Sequence, residues 1–441
     1  MNYEEALNFI HSTYTFGEKI GLENIQRMLD YLDNPQKGLK FIHIAGTNGK
    51  GSTSTMLSYI LREAGYNTGL YISPYLEEFT ERIQLNNEPI DKQILADLTE
   101  TVKSVVERID AEGYQYPSEF EVVTAIAMLF YRKVNADVIV LETGMGGRFD
   151  ATNVIDDNEA AVITSISYDH MLYLGDTLEA IAFEKAGIIK PSGSVSLYCE
   201  ISGSILEVFQ KKAAEMNAEI HLSDINDIEL TGSDIDGQTI RYKKQDSLLG
   251  LDEFTLSLLG DHQIKNVLNV LTACEILKSK GYRLSPDGIK NALGKVRFTG
   301  RFEVMHKSPV IVIDGGHNIE GINSFVGNIE RYFEGRKVNL FYGMLNDKQI
   351  DESLMHLTKT AKTIYTLAPF DKRAVPAEEM AQHIRENYPH IQTVPLNSFD
   401  EIADHIDFSA ADEIYAFTGS LYMIGEARTK LTAAINRHYS S

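Results

Sequence analysis

The sequence has no tryptophan, only two cysteines, and far fewer basic than acidic residues. Each shortage excludes something. Cys199 and Cys274, each set in an apolar segment, cannot staple a small secreted scaffold and are expected to be buried free thiols in a reducing compartment. With 41 lysines and arginines against 63 aspartates and glutamates the net charge is −22, which argues against nucleic acid or an anionic membrane surface as partner. Small anionic ligands stay open, because a local cluster of donors overrides the global sign. No apolar run reaches membrane-spanning length, and Met1-Asn2-Tyr3-Glu4-Glu5 lacks the basic and apolar regions of a secretion signal. A cytoplasmic location is expected. The chain also lacks internal repeats and low-complexity tracts, and 441 residues is long for one core, so two domains are expected.

What is present is organised around residues 41–53. The apolar run Phe41-Ile42-His43-Ile44-Ala45 leads into Gly46-Thr47-Asn48-Gly49-Lys50-Gly51-Ser52, and a helical pattern follows. Strand, Gly-rich turn and helix N-terminus together cradle a nucleotide phosphate: glycines admit the anion, successive N–H groups point at it, and the helix dipole favours negative charge. Lys50 would reach the terminal phosphates, and Ser52 or Thr53 would meet a magnesium ion. The usual eight-residue pattern would need Gly at Ile44 and Ser or Thr at Gly51, so this is a phosphate loop of variant spacing.

Ahead of the loop, residues 3–14 and 22–33 carry helix-period apolar positions, too little for a separate domain. Beyond it, 67–72 reads as a strand ending in Ser73-Pro74-Tyr75-Leu76, and the polar stretch 77–89 as an excursion or flap. Helical patterns fill 91–112 and 119–134. Buried parallel strands are expected at 137–142, ending at Glu142 and a Gly cluster, and at 160–166, ending near Asp169-His170. A helix over 178–188 carries Glu184-Lys185. Strands alternating with helices, with polar residues at the strands' C-terminal ends, describe a doubly wound α/β sheet. Residues 220–259 read as a small antiparallel patch, followed by helices over 262–280 and 285–293, with Gly294 as the stop and 295–303 as the linker. A second βα alternation completes the chain. The fold expected is an ATP-binding α/β domain over 1–295 and a Rossmann-like α/β domain over 296–441.

Glu142, a carboxylate at a buried strand end beside the phosphate loop, sits where a ligand of nucleotide-bound Mg²⁺ belongs, or else is a solvated strand-end acid. His170 is a second candidate ligand or a structural histidine. Lys185 is a surface lysine in a salt bridge, or a lysine kept neutral by burial, able to form a carbamate with CO₂.

Taken together, these segments resemble the folylpolyglutamate and dihydrofolate synthase branch of the Mur ligase family. The likeness runs through Gly46-Thr47-Asn48-Gly49-Lys50-Gly51-Ser52, Ser73-Pro74-Tyr75-Leu76, the stretch from Glu142 to Asn153, Asp169-His170 and Glu184-Lys185-Ala186-Gly187-Ile188. It continues in Leu259-Gly260-Asp261-His262-Gln263 with Asn266, Gly300-Arg301, Asp314-Gly315-Gly316-His317-Asn318 and Thr418-Gly419-Ser420-Leu421-Tyr422. The resemblance implies an active site between the domains, with ATP on residues 46–52. Ser52, Ser73, Glu142 and His170 would form the environment of two Mg²⁺ ions, and Lys185 would be the carbamylated lysine. It further implies nucleotide contacts from Asn266, Arg301 and Asp314, and places His317 close to the reacting phosphate. Substrates would be ATP, L-glutamate and a reduced folate or dihydropteroate, used by a monomer. Tyr75, Ser167, Phe298-Thr299 and Gly316 depart from the family's usual His, Gly, Trp-Pro and Ala. The segment before the loop is too short for the nucleotide-sugar domain of the cell-wall ligases. A regulatory ATPase is the non-ligase alternative, but it leaves the second domain unexplained.

Overall fold

The computed structural model describes residues 1–16, 21–346 and 349–439. Two helices, Tyr3–Ser12 and Glu23–Tyr31, pack on helices Lys92–Ala111 and Glu119–Lys133 instead of forming a unit of their own. The first sheet comprises β1 (Phe41–Ala45), β2 (Thr68–Tyr71), β3 (Ile83–Leu85), β4 (Glu88–Pro89), β5 (Val138–Glu142), β6 (Ala160–Ile163), β7 (Ser194–Leu197) and β8 (Glu219–Leu222). Their order is β4-β3-β2-β5-β1-β6-β7-β8. The pairings from β2 to β8 are parallel. Strands β1, β5 and β6 are buried throughout, as their unbroken apolar runs require. A separate antiparallel sheet follows, from β9 (Ile228–Asp234), β10 (Gly237–Tyr242) and β11 (Glu253–Leu256).

The second α/β sheet contains β12 (Glu303–Lys307), β13 (Val310–Ile313), β14 (Val338–Tyr342), β15 (Ala361–Thr366), β16 (Gln392–Pro395) and β17 (Ile414–Thr418). It is ordered β12-β13-β17-β14-β15-β16, parallel except for β12. The α/β fold class expected from the sequence is the one found.

Several local expectations need correction. Residues 77–89 are no excursion: β3 and β4 extend the first sheet antiparallel from β2. Phe79, Thr80, Arg82 and Ile83 are buried, and Asn86-Asn87 both take positive φ, as a tight hairpin turn between such strands requires. The patch expected at 220–259 begins only at Ile228, because β8 pairs in parallel with β7 as the edge of the main sheet. The unit of β7, helix Gly203–Met216 and β8 was not foreseen, nor were the edge strands β12 and β16. Gly294 does not stop its helix, which runs Pro286–Lys295 and ends where Val296 turns extended and buries its side chain. Cys274 is buried, but Cys199 is only half-buried; both are free.

Tight packing within the first sheet is exemplified by Gly69 on β2. A Cβ there would lie 2.7 Å from the Tyr131 ring and 3.0 Å from Ile139. The ring cannot swing away, because the Tyr131 hydroxyl donates to the Leu70 carbonyl at 2.6 Å. Gly69→Ala should therefore cost about 1–3 kcal/mol by overpacking, read as a lower midpoint of thermal unfolding; an unchanged midpoint would show that the ring yields freely.

Candidate active site

The strand β1 ends in the phosphate loop, and the end of β6 holds that loop in place. Thr47 N–H donates to the Ser165 carbonyl at 2.7 Å, and the Thr47 hydroxyl donates to the Ser167 carbonyl at 3.1 Å. Gly49 takes the left-handed conformation (φ 85°) at the N-cap of helix Lys50–Glu63, and no side chain caps that helix. Its first-turn N–H groups therefore face the cleft, as an anion seat requires. A Cβ on Gly51 would lie 2.6 Å from the tip of the Phe298 ring, so a residue from the segment joining the two α/β units rests directly on the loop.

Two lysines converge on one carbonyl. Lys50 Nζ donates to Gly46 O and Thr47 O, both at 3.1 Å, and the Nζ of buried Lys185 donates to Gly46 O at 2.7 Å. Burial, reinforced by the Lys50 charge, holds Lys185 well below the usual lysine range. It is therefore not a surface lysine; the ion pair in this helix belongs to its neighbour, Glu184, with Arg148 at 2.6 Å. Glu142 at the end of β5 is buried and accepts Ser73 N–H at 3.1 Å. Burial pushes its carboxyl up to about 7 despite the opposing pull of Lys50.

The far wall comes from the second α/β unit. Asp314 accepts N–H groups from Phe302 and Gly316, both at 2.8 Å. Burial pushes it up to about 6, against the attraction of Arg301, whose own pKa is lowered by burial. His317 Nδ1 lies 2.9 Å from the Gly315 carbonyl. Ser52 Oγ accepts from Gln263 Nε2 at 3.1 Å, and Gln263 Oε1 accepts from Asn266 Nδ2 at the same distance. His170 stands half exposed with positive φ at the start of the short helix Met171–Leu174, its Nε2 3.8 Å from Asp169 Oδ2.

The residues expected from the sequence line one cleft of about 230 Å³, except Gly46, which begins the loop, Lys185, which lies beneath it, and Thr53, the alternative to Ser52, which is buried in the following helix. Among the described residues no group of three or more His, Cys, Asp or Glu side chains is placed to hold a metal ion by itself. No helix of the described residues is long and apolar enough to cross a membrane.

The sequence reading missed a second set of groups in the same cleft. Glu320, in the first turn of helix Ile319–Tyr332, accepts from Asn48 Nδ2 at 2.5 Å and from Ser167 Oγ at 2.7 Å. Asn318 caps that helix and also reaches Asn48 Oδ1 at 3.3 Å. His262, which burial pushes down to about 4, is hydrogen-bonded to Ser324 at 2.7 Å. The available signal was the N-cap Asn318, which places Glu320 on the first turn beside it.

The comparisons agree with this architecture. Residues 44–274 match the profile described as the Mur ligase middle domain, and residues 300–421 match the Mur ligase glutamate ligase domain. The chain belongs to the Mur ligase family, and within it to the branch of folylpolyglutamate and dihydrofolate synthases. A dihydrofolate synthase/folylpolyglutamate synthase of Bacillus subtilis is 33% identical, the match covering 97% of this chain and 99% of the relative. The crystal structure of a folylpolyglutamate synthase from Thermotoga maritima superposes with a TM-score of 0.85 at 30% identity, covering 98% of this chain and 96% of that one. A Mycobacterium tuberculosis folylpolyglutamate synthase, complexed with ADP and AMPPCP, gives 0.83 at 28% identity, with 97% and 98% covered.

The buried Glu142 has a consequence for stability. Its folded pKa of about 7 exceeds the ordinary glutamate value of 4.5, so between these values the folded state holds a proton that the unfolded chain has already released. Stability is therefore greatest below the unfolded value and falls as pH rises through the folded one. Between these limits the loss is on the order of 3 kcal/mol. In nucleotide-free, metal-free protein, Glu142→Gln should remove this fall and unfold at a higher temperature than wild type at about pH 8. Parallel pH profiles for the two proteins would contradict the assignment.

Proposed function

We propose that this chain is an ATP-dependent ligase that joins L-glutamate, through an acyl phosphate, to the γ-carboxylate of a reduced folate or its polyglutamate. One observation carries the reading: an anion seat with Lys50 on one α/β unit faces Arg301 and His317 of the other across a single cleft, in a chain of this family. The double name of the Bacillus relative favours a second activity, joining glutamate to dihydropteroate.

A carboxylate is a poor acyl donor, because oxide would have to leave. Phosphorylation by ATP supplies phosphate as the leaving group, and attack by the glutamate amine then gives the amide. In this reading the N–H groups of residues 49–52 seat the phosphates, and Lys50, moving off the loop carbonyls it holds, meets their charge. Asn266, Arg301 and Asp314 contact the nucleotide from the helix Asp261–Ser279 and the second unit, and His317 lies near the transferring phosphoryl. Contact between the units keeps water from the acyl phosphate. The boundary near 295/296 would then be the hinge, and both sets of site residues lie on one chain, as a monomer would need.

The residues fit magnesium carried in with the nucleotide. Glu142 is a buried carboxylate with no ion pair among the described residues, and the Ser52 hydroxyl adds a hard oxygen to the same cleft. Glu142, Ser52, Ser73 and His170 would surround two Mg²⁺ ions, which would neutralise the charge of the transferring phosphoryl group. The neutral amine of Lys185 fits carbamylation: Nζ bonds to the carbon of CO₂ and releases a proton, leaving an anion beneath the loop. For the flat pteridine, Tyr14, Tyr75 and Tyr422 offer aromatic faces. Tyr14 and Tyr422 are 73% and 51% exposed, open to stacking. Free cysteines and small-molecule substrates fit a cytoplasmic enzyme.

The reading is tested by offering tetrahydrofolate and dihydropteroate in parallel with ATP and glutamate. ADP should form with amide and only when both co-substrates are present; brisk ATPase with neither would point to the regulatory alternative. Lys50→Ala should abolish amide formation, and near-normal turnover would remove the phosphate-seat assignment. Lys185→Ala should fold but be inactive, and intact mass of active wild type should show one added CO₂; an unmodified Lys185 in active enzyme would exclude the carbamate.

A further inference from the structure

The loop of residues 73–81 belongs by chain order to the first α/β unit, yet the second one holds it. On the C-terminal helix, Leu421–Tyr439, the Arg428 guanidinium lies between two carboxylates. Its Nη2 and Nε donate to Glu303 at 2.9 and 3.1 Å, and its Nη1 donates to Glu77. The hydroxyl of Thr429 donates to the other Glu77 oxygen at 2.7 Å. One turn earlier, Gly425 admits the Leu76 carbonyl so closely that a Cβ would lie 2.1 Å from it, and Gly300 gives the Leu76 side chain similar room.

Within the loop, Glu81 accepts the N–H groups of Leu76, Glu77 and Glu78 at 2.8 to 3.0 Å, tying these residues together. At its start, Ser73 N–H donates to Glu142. The loop also separates two cavities. One is the phosphate cleft; the other is a chamber of mixed lining, with Tyr59, Leu70 and Phe298 beside Glu77, Glu81 and Arg297, and Pro74, Arg301 and Leu421 border both.

We propose that Glu77, held by Arg428 and Thr429, is a positioning residue of the reaction. It docks the 73–81 loop on the second α/β unit, so that Glu142 stays oriented and the acyl phosphate meets the amine before it meets water. The proposal rests on the ligase reading above. Two fates compete for the intermediate. In one, the glutamate nitrogen bonds to the acyl carbon, loses a proton, and the C–O bond to phosphate breaks. In the other, a water oxygen bonds to that carbon, loses its protons to phosphate and solvent, and the same bond breaks, returning carboxylate and phosphate. Both release one phosphate and consume one ATP, but only the first makes amide. The ratio of ADP to amide therefore reads the docking directly, and a residue serving stability alone would not move it.

Glu77→Gln leaves Arg428 paired with Glu303, so the helix keeps its partner. The wild type should form ADP and amide in equal amounts. At limiting glutamate, Glu77→Gln should release at least about twice as much ADP as amide, with kcat down about tenfold. Its KM for the folate should rise about fivefold or more while KM for ATP stays within about twofold. Thr429→Val, which removes one donor to Glu77, should shift the ratio the same way by less. A Glu77→Gln enzyme with equal ADP and amide at limiting glutamate overturns the proposal, whether or not its rate falls. If Glu77→Gln unfolds at a markedly lower temperature, Thr429→Val decides: a ratio of one overturns the proposal, and an excess of ADP upholds it. A wild type that makes ADP without amide removes the ligase reading, and the proposal with it.

Discussion

One backbone oxygen sets the electrostatics of this molecule. The Gly46 carbonyl accepts from both Lys50 and Lys185, and two ammonium charges converging on a single acceptor away from bulk water repel each other strongly. Burial separates them: it favours the neutral form of Lys185, enclosed beneath the loop, while Lys50 lines the cleft. The rest of the site is arranged around that asymmetry. Glu142 faces the loop with no ion pair of its own among the described residues, Asp314 and Arg301 balance each other across the far wall, and the uncapped helix start adds its partial positive charge. Such a cleft is costly when empty and relieved when a polyanion and its counter-cation fill it.

Much of this was legible in the sequence, and the reasons are local. The strand, Gly-rich turn and helix around residues 41–53 declare themselves by composition, since few other structures require glycine at 46, 49 and 51 with a lysine between. Fully buried parallel strands such as β5 and β6 leave an unbroken apolar signature, and the residues at their ends follow from direction alone. Edge strands leave no such signal. β4, β8, β12 and β16 are short and largely polar because one side of each faces less of the core, and so 77–89 read as a flap and 220–222 as part of another sheet. Gly294 misled because glycine is tolerated inside a helix where a neighbouring residue ends it for packing reasons.

The polar groups that cross the cleft were the hardest to foresee. Glu320 and Asn318 are ordinary residues at the start of an amphipathic helix, and only the folded arrangement places them opposite Asn48 and Ser167, more than a hundred residues away in sequence. The same holds for Arg428 and Glu77, 351 residues apart. Periodicity reports which face of a helix is buried, but the identity of the partner is a property of the tertiary fold. Motif spacing thus located each wall of the site and was silent about what joins the walls.

Phe298, whose ring rests on Gly51, has an optical consequence. It occupies a position where the family resemblance has tryptophan, and the chain contains no tryptophan at all. The protein's near-ultraviolet emission therefore comes from tyrosine and is spread over 22 residues. A single indole placed at 298 would be the sole fluorophore of its kind, in contact with the phosphate loop on one side and 5.4 Å from the Arg301 guanidinium at the ring it replaces. Its emission would follow the polarity of that junction without interference, so the chain's missing tryptophan makes it a quiet background for watching its two halves meet.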